Sequence, residues 1–262
     1  MSAQQKDLLN KNYLIILLIV LVVVFLIANV MHQEKFPIND HQQMTDLLSI
    51  FGSFIVSIFG GLLSFKYKAR GSHGVAWILF TLAMSCWFIA EYTYTYDYEY
   101  DLNNLSTLTS DIFFIAGYPL FLVFAIFYLK PRKNIITKKM ILTSSFFSLL
   151  VVIPSLYYTF QTPDNISFLT LFLYAIYPIL DGIILIPGII GVFLFFRGKI
   201  NLLWTMIFFG IILLVAGDTA YLIVSSDGSY YPGHPINILF AWSYLLFGFG
   251  AYSHLKLYYK QN

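Results

Sequence analysis

The sequence contains one cysteine and very few charged residues. Cys86 is the only cysteine among 262 residues, which excludes a disulfide within the chain and a cluster of thiolate metal ligands. Only 11% of the residues are charged, whereas 59% are hydrophobic and 19% are aromatic. An ordinary soluble domain carries about twice that share of charge. The composition therefore predicts a membrane protein.

Motifs typical of several enzyme classes are also missing. The sequence has no glycine-rich phosphate loop, no His-x-x-x-His pair, and no serine or cysteine nucleophile placed beside a base. Its last apolar segment has no lysine in its interior, which argues against a retinal Schiff base. The basic residues lie in short loops and form no continuous stripe, so no nucleic-acid partner is expected. We expect neither a metal nor another cofactor.

Eight apolar segments follow one another along the chain. Each has roughly 20 residues, enough to span about 30 Å of hydrocarbon as a helix. They lie near 13–31, 45–66, 74–94, 108–129, 140–160, 168–196, 201–224 and 236–257. The sixth segment is overlong and contains Pro178 and Pro187, so we expect it to tilt or kink. The predicted fold class is all-α, a polytopic membrane protein of eight transmembrane helices.

The basic residues predict the orientation in the membrane. Fourteen of fifteen lie before the first segment or after the second, fourth, sixth and eighth, and only Lys35 lies on the other side. Because short cytoplasmic loops are rich in Lys and Arg, we expect both termini in the cytoplasm of a cell-membrane protein. The Asn-x-Ser acceptors Asn104 and Asn165 then lie outside, among acidic loops.

The chain also repeats itself at an offset of about 127 residues. After the loss of one residue in a loop, the offset becomes 126. The corresponding pairs are Gly61 with Gly188, Trp77 with Trp204, Glu91 with Asp218, Tyr94 with Tyr221, Asp111 with Asn237, and Tyr118 with Tyr244. Because the offset spans four helices, an even number, the two halves share one orientation. We predict a duplicated unit and two parallel four-helix repeats.

The predicted organisation has five parts. They are a cytoplasmic N-terminal tail at 1–12, a first four-helix repeat at 13–130, a basic cytoplasmic linker at 131–139, a second repeat at 140–257, and a cytoplasmic tail at 258–262. No polar stretch is long enough to form a soluble domain. A signalling function would therefore require a separate protein.

Acidic residues lie within several of the predicted helices. Glu91 and Asp111 lie near outer helix ends, Asp218 lies in the outer third of the seventh helix, and Asp181 lies deep in the sixth. Ionisable groups at such depth are costly and usually functional. Tyrosines share the faces of these acids at helical spacing. We expect an outward-facing cavity, closed toward the cytoplasm by aliphatic residues and lined by Glu91, Tyr94, Asp111, Tyr118, Tyr177, Asp181, Asp218, Tyr221, Asn237 and Tyr244.

Two interpretations of these acids remain open. In the functional one they bind a ligand, and the duplication sets Glu91 opposite Asp218 and Asp111 opposite Asn237. In the structural one they tie helix ends together by hydrogen bonds, and the tyrosines form the outer aromatic belt. The depth of Asp181 favours the functional interpretation, because so short a side chain does not reach the membrane surface from there.

Two short segments carry a resemblance to a signalling family. TSDIFFIAGYPL at 109–120 and WFIAE at 87–91, with the Ala-Gly-Asp at 216–218, resemble the multi-pass membrane input domain found N-terminal to diguanylate cyclases and histidine kinases. The resemblance implies a stand-alone sensor-like module without an output domain, which would bind a small or amphiphilic ligand from the outer side. Its partners would be the lipid bilayer, that ligand and a separate signalling protein.

A second resemblance leads to an enzyme. Glu91 and Asp218 fall where lysoplasmalogenase-like eight-helix membrane hydrolases carry acids, although Glu91 stands where an aspartate is expected. That resemblance implies two carboxyl groups acting as general base and acid on a water molecule that attacks a lipid headgroup linkage. A third alternative is a small-molecule transporter in which the two halves rock against each other. We expect a non-enzymatic binding module.

Overall fold

The computed structural model describes residues 15–16, 18–25, 38–99, 106–161, 167–196, 202–231 and 234–259. Nearly all of these residues are helical and none lies in a strand, which confirms the all-α prediction for the part described. The predicted tail at 1–12 and the acceptors Asn104 and Asn165 lie outside the described residues.

The helices follow the apolar segments of the sequence. α1 covers residues 15–25, residue 17 excepted. The others are α2 (Ile38–Tyr67), α3 (Gly71–Glu99), α4 (Ser106–Leu129), α5 (Lys138–Thr159), α6 (Phe168–Phe196), α7 (Leu202–Ser226) and α8 (Ile238–Tyr259). Short 3₁₀ turns at Lys130–Ile135 and Pro235–Asn237 precede α5 and α8.

Seven of the described helices, α2 to α8, are long and apolar enough to cross a membrane. Their outer surfaces are strongly apolar, with large exposed side chains such as Phe65, Leu142 and Phe168. Lipid tails solvate such a surface, whereas water does not. The chain is therefore a membrane-embedded, multi-pass helical protein.

Local sequence explains several helix boundaries. Lys68 and Gly71 both adopt positive φ, at 51° and 65°, and turn the chain from α2 into α3. The side chain of Thr137 accepts a hydrogen bond from the Met140 amide and caps the start of α5. Pro178 and Pro187 lie inside α6 without ending it. The expected tilt or kink of α6 stays a prediction.

Two sets of helices pack in the same way. α3 packs on α2 and α4, and α7 packs on α6 and α8. The sets join where α2 meets α8 and where α4 meets α6. Because lipid is as apolar as these side chains, close van der Waals packing stabilises the contacts more than burial from water does. The centre is mainly aromatic, with fully buried Trp77, Phe80, Phe121, Phe124 and Phe247.

The position of α1 departs from the simplest form of the duplication. The repeat predicts that α1 and α5 take equivalent places. α5 packs on α6 and α7, whereas Leu21 of α1 packs with Met206 and Leu246 of α7 and α8. The Trp242 indole also donates a hydrogen bond to the Leu21 carbonyl at 3.2 Å. The described part of α1 thus contacts the second predicted repeat.

Candidate functional site

A partly enclosed cavity of about 600 Å³ lies among α3, α4, α6, α7 and α8, with Ser49 of α2 and Ser155 of α5 also reaching it. It lies at the end of the bundle where α3 leads to α4 and α7 to α8, which we call the acidic end. All ten predicted site residues line it, namely Glu91, Tyr94, Asp111, Tyr118, Tyr177, Asp181, Asp218, Tyr221, Asn237 and Tyr244. Ligand pockets typically occupy about 300–1,000 Å³. The volume therefore suits a small molecule.

Tyrosine hydroxyls hold the acids of the cavity from neighbouring helices. Tyr244 of α8 donates to Oε1 of Glu91 in α3 at 2.8 Å. Tyr177 of α6 donates to Oδ1 of Asp111 in α4 at 2.5 Å. Each pair joins two helices, so the cavity wall is bound together by groups that also face the cavity.

Tyr118 contacts two carboxyl groups at once. Its hydroxyl oxygen lies 2.8 Å from Oδ1 of Asp181 and 3.0 Å from Oδ2 of Asp218. A tyrosine hydroxyl has a single proton, so it can donate to only one of these oxygens. If both acids are ionised, the second oxygen faces the hydroxyl without a proton between them. The triad therefore requires a further proton or another positive charge.

The structure adds a pairing that the duplication did not indicate. Asp218 shares Tyr118 with Asp181, a partner that the sequence analysis did not assign to it. The amide of Asn237 donates to the Tyr230 hydroxyl at 3.4 Å. The pattern of pairs depends on how α4, α6 and α7 face one another. The offset between the repeats does not determine how these helices are rotated toward one another.

Aromatic rings fill the core next to the cavity, behind Trp87, which lines it. Trp87 stacks on Phe121 with centroids 5.4 Å apart and planes at 15°, and it lies 6.2 Å from Phe247. Its indole N–H donates to the Phe114 carbonyl at 3.1 Å. Large flat rings fill the centre where α3, α4 and α8 meet, and aliphatic side chains of α6 and α7, such as Ile184 and Ile211, join them, so the buried core is mixed and not purely aliphatic. We call Trp87, Phe121 and Phe247 the aromatic floor.

The Trp87 ring depends on a glycine in the facing helix. A Cβ atom at Gly117 would lie 2.1 Å from the Trp87 Nε1 atom. No side chain fits in that space, so Gly117 sets how closely α4 approaches α3 at the floor.

The charge of the lining has one sign. The lining contains four acids and ten aromatic side chains, and none of its described side chains is basic. Outside it, Asp227 lies exposed in the α7–α8 loop. Hydrogen bonds from the Ser229 side chain and amide hold the pKa of Asp227 below its usual range. The loop carboxylate is therefore satisfied locally and belongs to no part of the cavity.

Several lining residues were missed by the sequence analysis. They include Trp87, Phe114, Tyr230 and Phe240, and the hydroxyl residues Ser110, Ser155, Thr170, Thr219, Ser225 and Ser226. The repeat contained a signal for two of them, since Phe114 and Phe240 correspond at an offset of 126. Helical spacing contained another, since Ser225 lies seven residues after Asp218 and shares its face.

A second polar cluster lies at the opposite end of the core. The Tyr128 hydroxyl is 2.7 Å from Nε2 of His254, and the Trp77 indole donates to Nε2 of His73 at 3.2 Å. The two imidazole centroids are 6.2 Å apart. Over the described ranges, no three His, Cys, Asp or Glu residues form a group that could hold a metal ion.

No family model, curated protein or solved structure matches this chain. The arrangement of the cavity is therefore the basis for assigning a function. It offers hydrogen-bonded carboxyl groups, aromatic faces and an enclosed volume, which together suit recognition of a ligand.

Proposed function

We propose that this protein is a sensor-like ligand-binding module of the cell membrane, whose cavity takes a small or amphiphilic ligand from the outer side. The observation that carries the proposal is the bonding of each cavity acid to a tyrosine from another helix. A ligand that competes for these carboxyl groups would break bonds between helices. Binding would therefore change how the helices pack, which is what a sensor requires.

The charge distribution supports an outward-facing cavity with both termini in the cytoplasm. At the end of the bundle away from the cavity, the described loops and helix ends carry Lys66, Lys68, Arg70, Lys130, Arg132, Lys133, Lys138, Lys139 and Lys256. Short cytoplasmic loops are enriched in such residues. The cavity then opens to the exterior, and a separate signalling protein would read the other face.

Reciprocal contacts support two parallel repeats. Tyr118 contacts Asp218, and Tyr244 contacts Glu91, so each half supplies a tyrosine to the corresponding acid of the other half. Phe121 and Phe247, which correspond at an offset of 126, pack on each other with centroids 5.4 Å apart. Contacts between corresponding residues are expected at a two-fold axis.

The hydrolase remains a second candidate because Glu91 and Asp218 line the same cavity. Paired acid and base catalysis requires carboxyl groups that exchange protons with a water molecule. Here both carboxyl groups are held by tyrosines, which favours binding over catalysis. A transporter is disfavoured because the aromatic floor lies between the cavity and the basic end.

The test is to fill the cavity. Thr219 lines it, whereas Ile223, one turn later in α7, is exposed on the outer surface of the bundle. Native protein, Thr219→Trp and Ile223→Trp are purified in lipid nanodiscs, and bound small molecules are extracted and identified by mass spectrometry.

We expect the native protein and the Ile223→Trp variant to retain the same compound in similar amounts. The Thr219→Trp variant should retain at least tenfold less of it. Retention of that compound by Thr219→Trp would overturn the proposal. Turnover of a lysophospholipid by the native protein, abolished by Glu91→Gln and by Asp218→Asn, would favour the hydrolase instead.

A further inference from the structure

We infer that the ligand is an organic cation, with an ammonium group bound at the Tyr118–Asp181–Asp218 triad and an apolar body packed on the aromatic rings of the cavity. This inference rests on the proposed binding function and adds the chemical class of the ligand. Four separate features of the cavity support it.

The first feature is the sign of the charge. Glu91, Asp111, Asp181 and Asp218 line the cavity, and no basic side chain is among its described lining residues. Carboxylates that line a cleft with low-dielectric walls focus the electric field and raise the local concentration of positively charged ligands. An anionic ligand would meet repulsion from every ionised group in the lining.

The second feature is that the Tyr118 hydroxyl has one proton to donate but two carboxyl oxygens beside it. One hydroxyl proton faces two carboxyl oxygens, at 2.8 and 3.0 Å. Asp181 is only 2% exposed, so water does little to screen its charge. An uncompensated buried charge is strongly unfavourable. An ammonium group can take the place of the further proton that the two carboxyl groups otherwise require, and it brings additional N–H donors.

The third feature is the density of aromatic faces near the triad. The Trp87 and Tyr118 rings have centroids 5.8 Å apart, and the Tyr118 and Tyr177 rings have centroids 6.3 Å apart. Phe114 and Phe240 also line the cavity. Aromatic faces attract cations, and groups of such rings are the usual receptors for substituted ammonium ions.

The fourth feature is a break in the repeat. At the offset of 127, Asp181 corresponds to Phe54, which lies 44% exposed and packs on Phe88. The Tyr118–Asp218 and Tyr244–Glu91 contacts correspond to each other under the repeat, and neither of them includes Asp181. The additional carboxyl group beside Tyr118 therefore lacks an acidic counterpart, and it marks one side of the cavity as the place for the cationic group.

The experiment compares three soluble probes that share one aromatic body. They are 3-phenylpropylamine, which is cationic at neutral pH, 3-phenylpropanol, which is neutral, and 3-phenylpropanoate, which is anionic. Binding to the full chain in nanodiscs is measured by isothermal titration calorimetry, with empty nanodiscs subtracted. We expect the amine to bind at least tenfold more tightly than the alcohol, and the carboxylate more weakly than either.

Variants then locate the cationic group. Asp181→Asn and Asp218→Asn are each expected to weaken amine binding at least tenfold and to change alcohol binding little. Asp227→Asn removes the same charge from the exposed loop and is expected to leave the affinity unchanged. The comparison of probes on the native protein tests the inference even if an Asp181 variant does not fold.

Two other results would overturn the inference and separate it from the proposed function. Equal binding of alcohol and amine, or tightest binding of the carboxylate, would refute a cationic ligand while leaving a binding cavity in place. If none of the probes bound, and if Thr219→Trp also retained the compound purified with the native protein, both the inference and the proposed function would fail.

Discussion

The hydroxyl of Tyr128 lies 2.7 Å from Nε2 of His254, and these residues occupy the same position of the two predicted repeats, at an offset of 126. His254 is 2% exposed and Tyr128 is 5% exposed. Two different side chains thus meet at what the repeat predicts to be the axis. Their hydrogen bond lies on the far side of the aromatic floor from the cavity.

We predict that Tyr128→Phe lowers the free energy of unfolding by about 1–3 kcal/mol, because it takes one hydrogen-bond partner from a buried imidazole. His254→Leu should cost a similar amount. The double variant should cost less than the sum of the two, since they break one shared bond. Thermal unfolding in detergent provides the measurement, and full additivity would contradict the prediction.

The close contact of Gly117 with Trp87 predicts an effect on both stability and binding. Gly117→Ala places a methyl group on the indole and should destabilise the fold by about 1–3 kcal/mol, as overpacked cores do. Because Trp87 lines the cavity, ligand affinity should fall as well. Denaturation midpoints and calorimetric titration check the two effects.

Gly61→Ala is the matched control, since nothing lies within 4 Å of the Cβ position there. This change lies in the interior of α2, where alanine is favoured over glycine by up to about 1 kcal/mol. We expect equal or higher stability and unchanged binding. Equal destabilisation by both substitutions would show that the Trp87 contact is not the cause.

The Tyr118 triad predicts that cation binding depends on pH. The groups that face it from the surrounding helices are Glu91 of α3, Asp111 of α4, Tyr174 and Tyr177 of α6, Tyr221 of α7 and Tyr244 of α8, and no basic side chain is among them in the described lining. An ammonium group that replaces a shared proton releases that proton. Affinity should therefore rise with pH by up to about tenfold per unit until the triad is deprotonated.

Calorimetry of 3-phenylpropylamine binding in two buffers of different ionisation enthalpy measures the released protons directly. We expect close to one proton per cation below the titration of the triad. Asp181→Asn should abolish the release, whereas Asp227→Asn should not change it. A release of zero in the native protein across the acidic range would contradict a shared proton.

The unique cysteine allows a direct test of topology. In a Cys86→Ser background, Ser229→Cys introduces a thiol at the acidic end, and Arg132→Cys introduces one at the basic end. A membrane-impermeant maleimide applied to intact cells should label the first variant and not the second. Labelling of the second alone would reverse the proposed orientation.

Local features of the sequence were enough to predict the helices. The sixth segment was expected near 168–196, and α6 is Phe168–Phe196. The agreement is close because the length of an apolar run determines the extent of a membrane-spanning helix. α2 begins at Ile38, earlier than the apolar run near 45, because a helix can extend past the hydrocarbon into polar sequence. The face of each helix that carries an acid also followed from helical spacing.

The partners of the acids did not follow from the sequence in the same way. Whether Asp218 meets Glu91 or Asp181 depends on the rotation and separation of α4, α6 and α7. These are set by packing details such as Gly191, where a Cβ would lie 2.4 Å from the Phe208 ring. Such contacts join residues far apart in the chain and leave no periodic pattern in it.

The aromatic floor determines how an occupant of the cavity can affect the rest of the molecule. Under the proposed function, a bound molecule would enter and leave at the acidic end, because Trp87, Phe121 and Phe247 pack together between the described lining and the basic end. A bound molecule could then affect the basic end only by changing how the helices pack. Because Trp87 lines the cavity and packs on Phe121 and Phe247, a displacement of Trp87 would also move α4 and α8, the helices that carry those two rings.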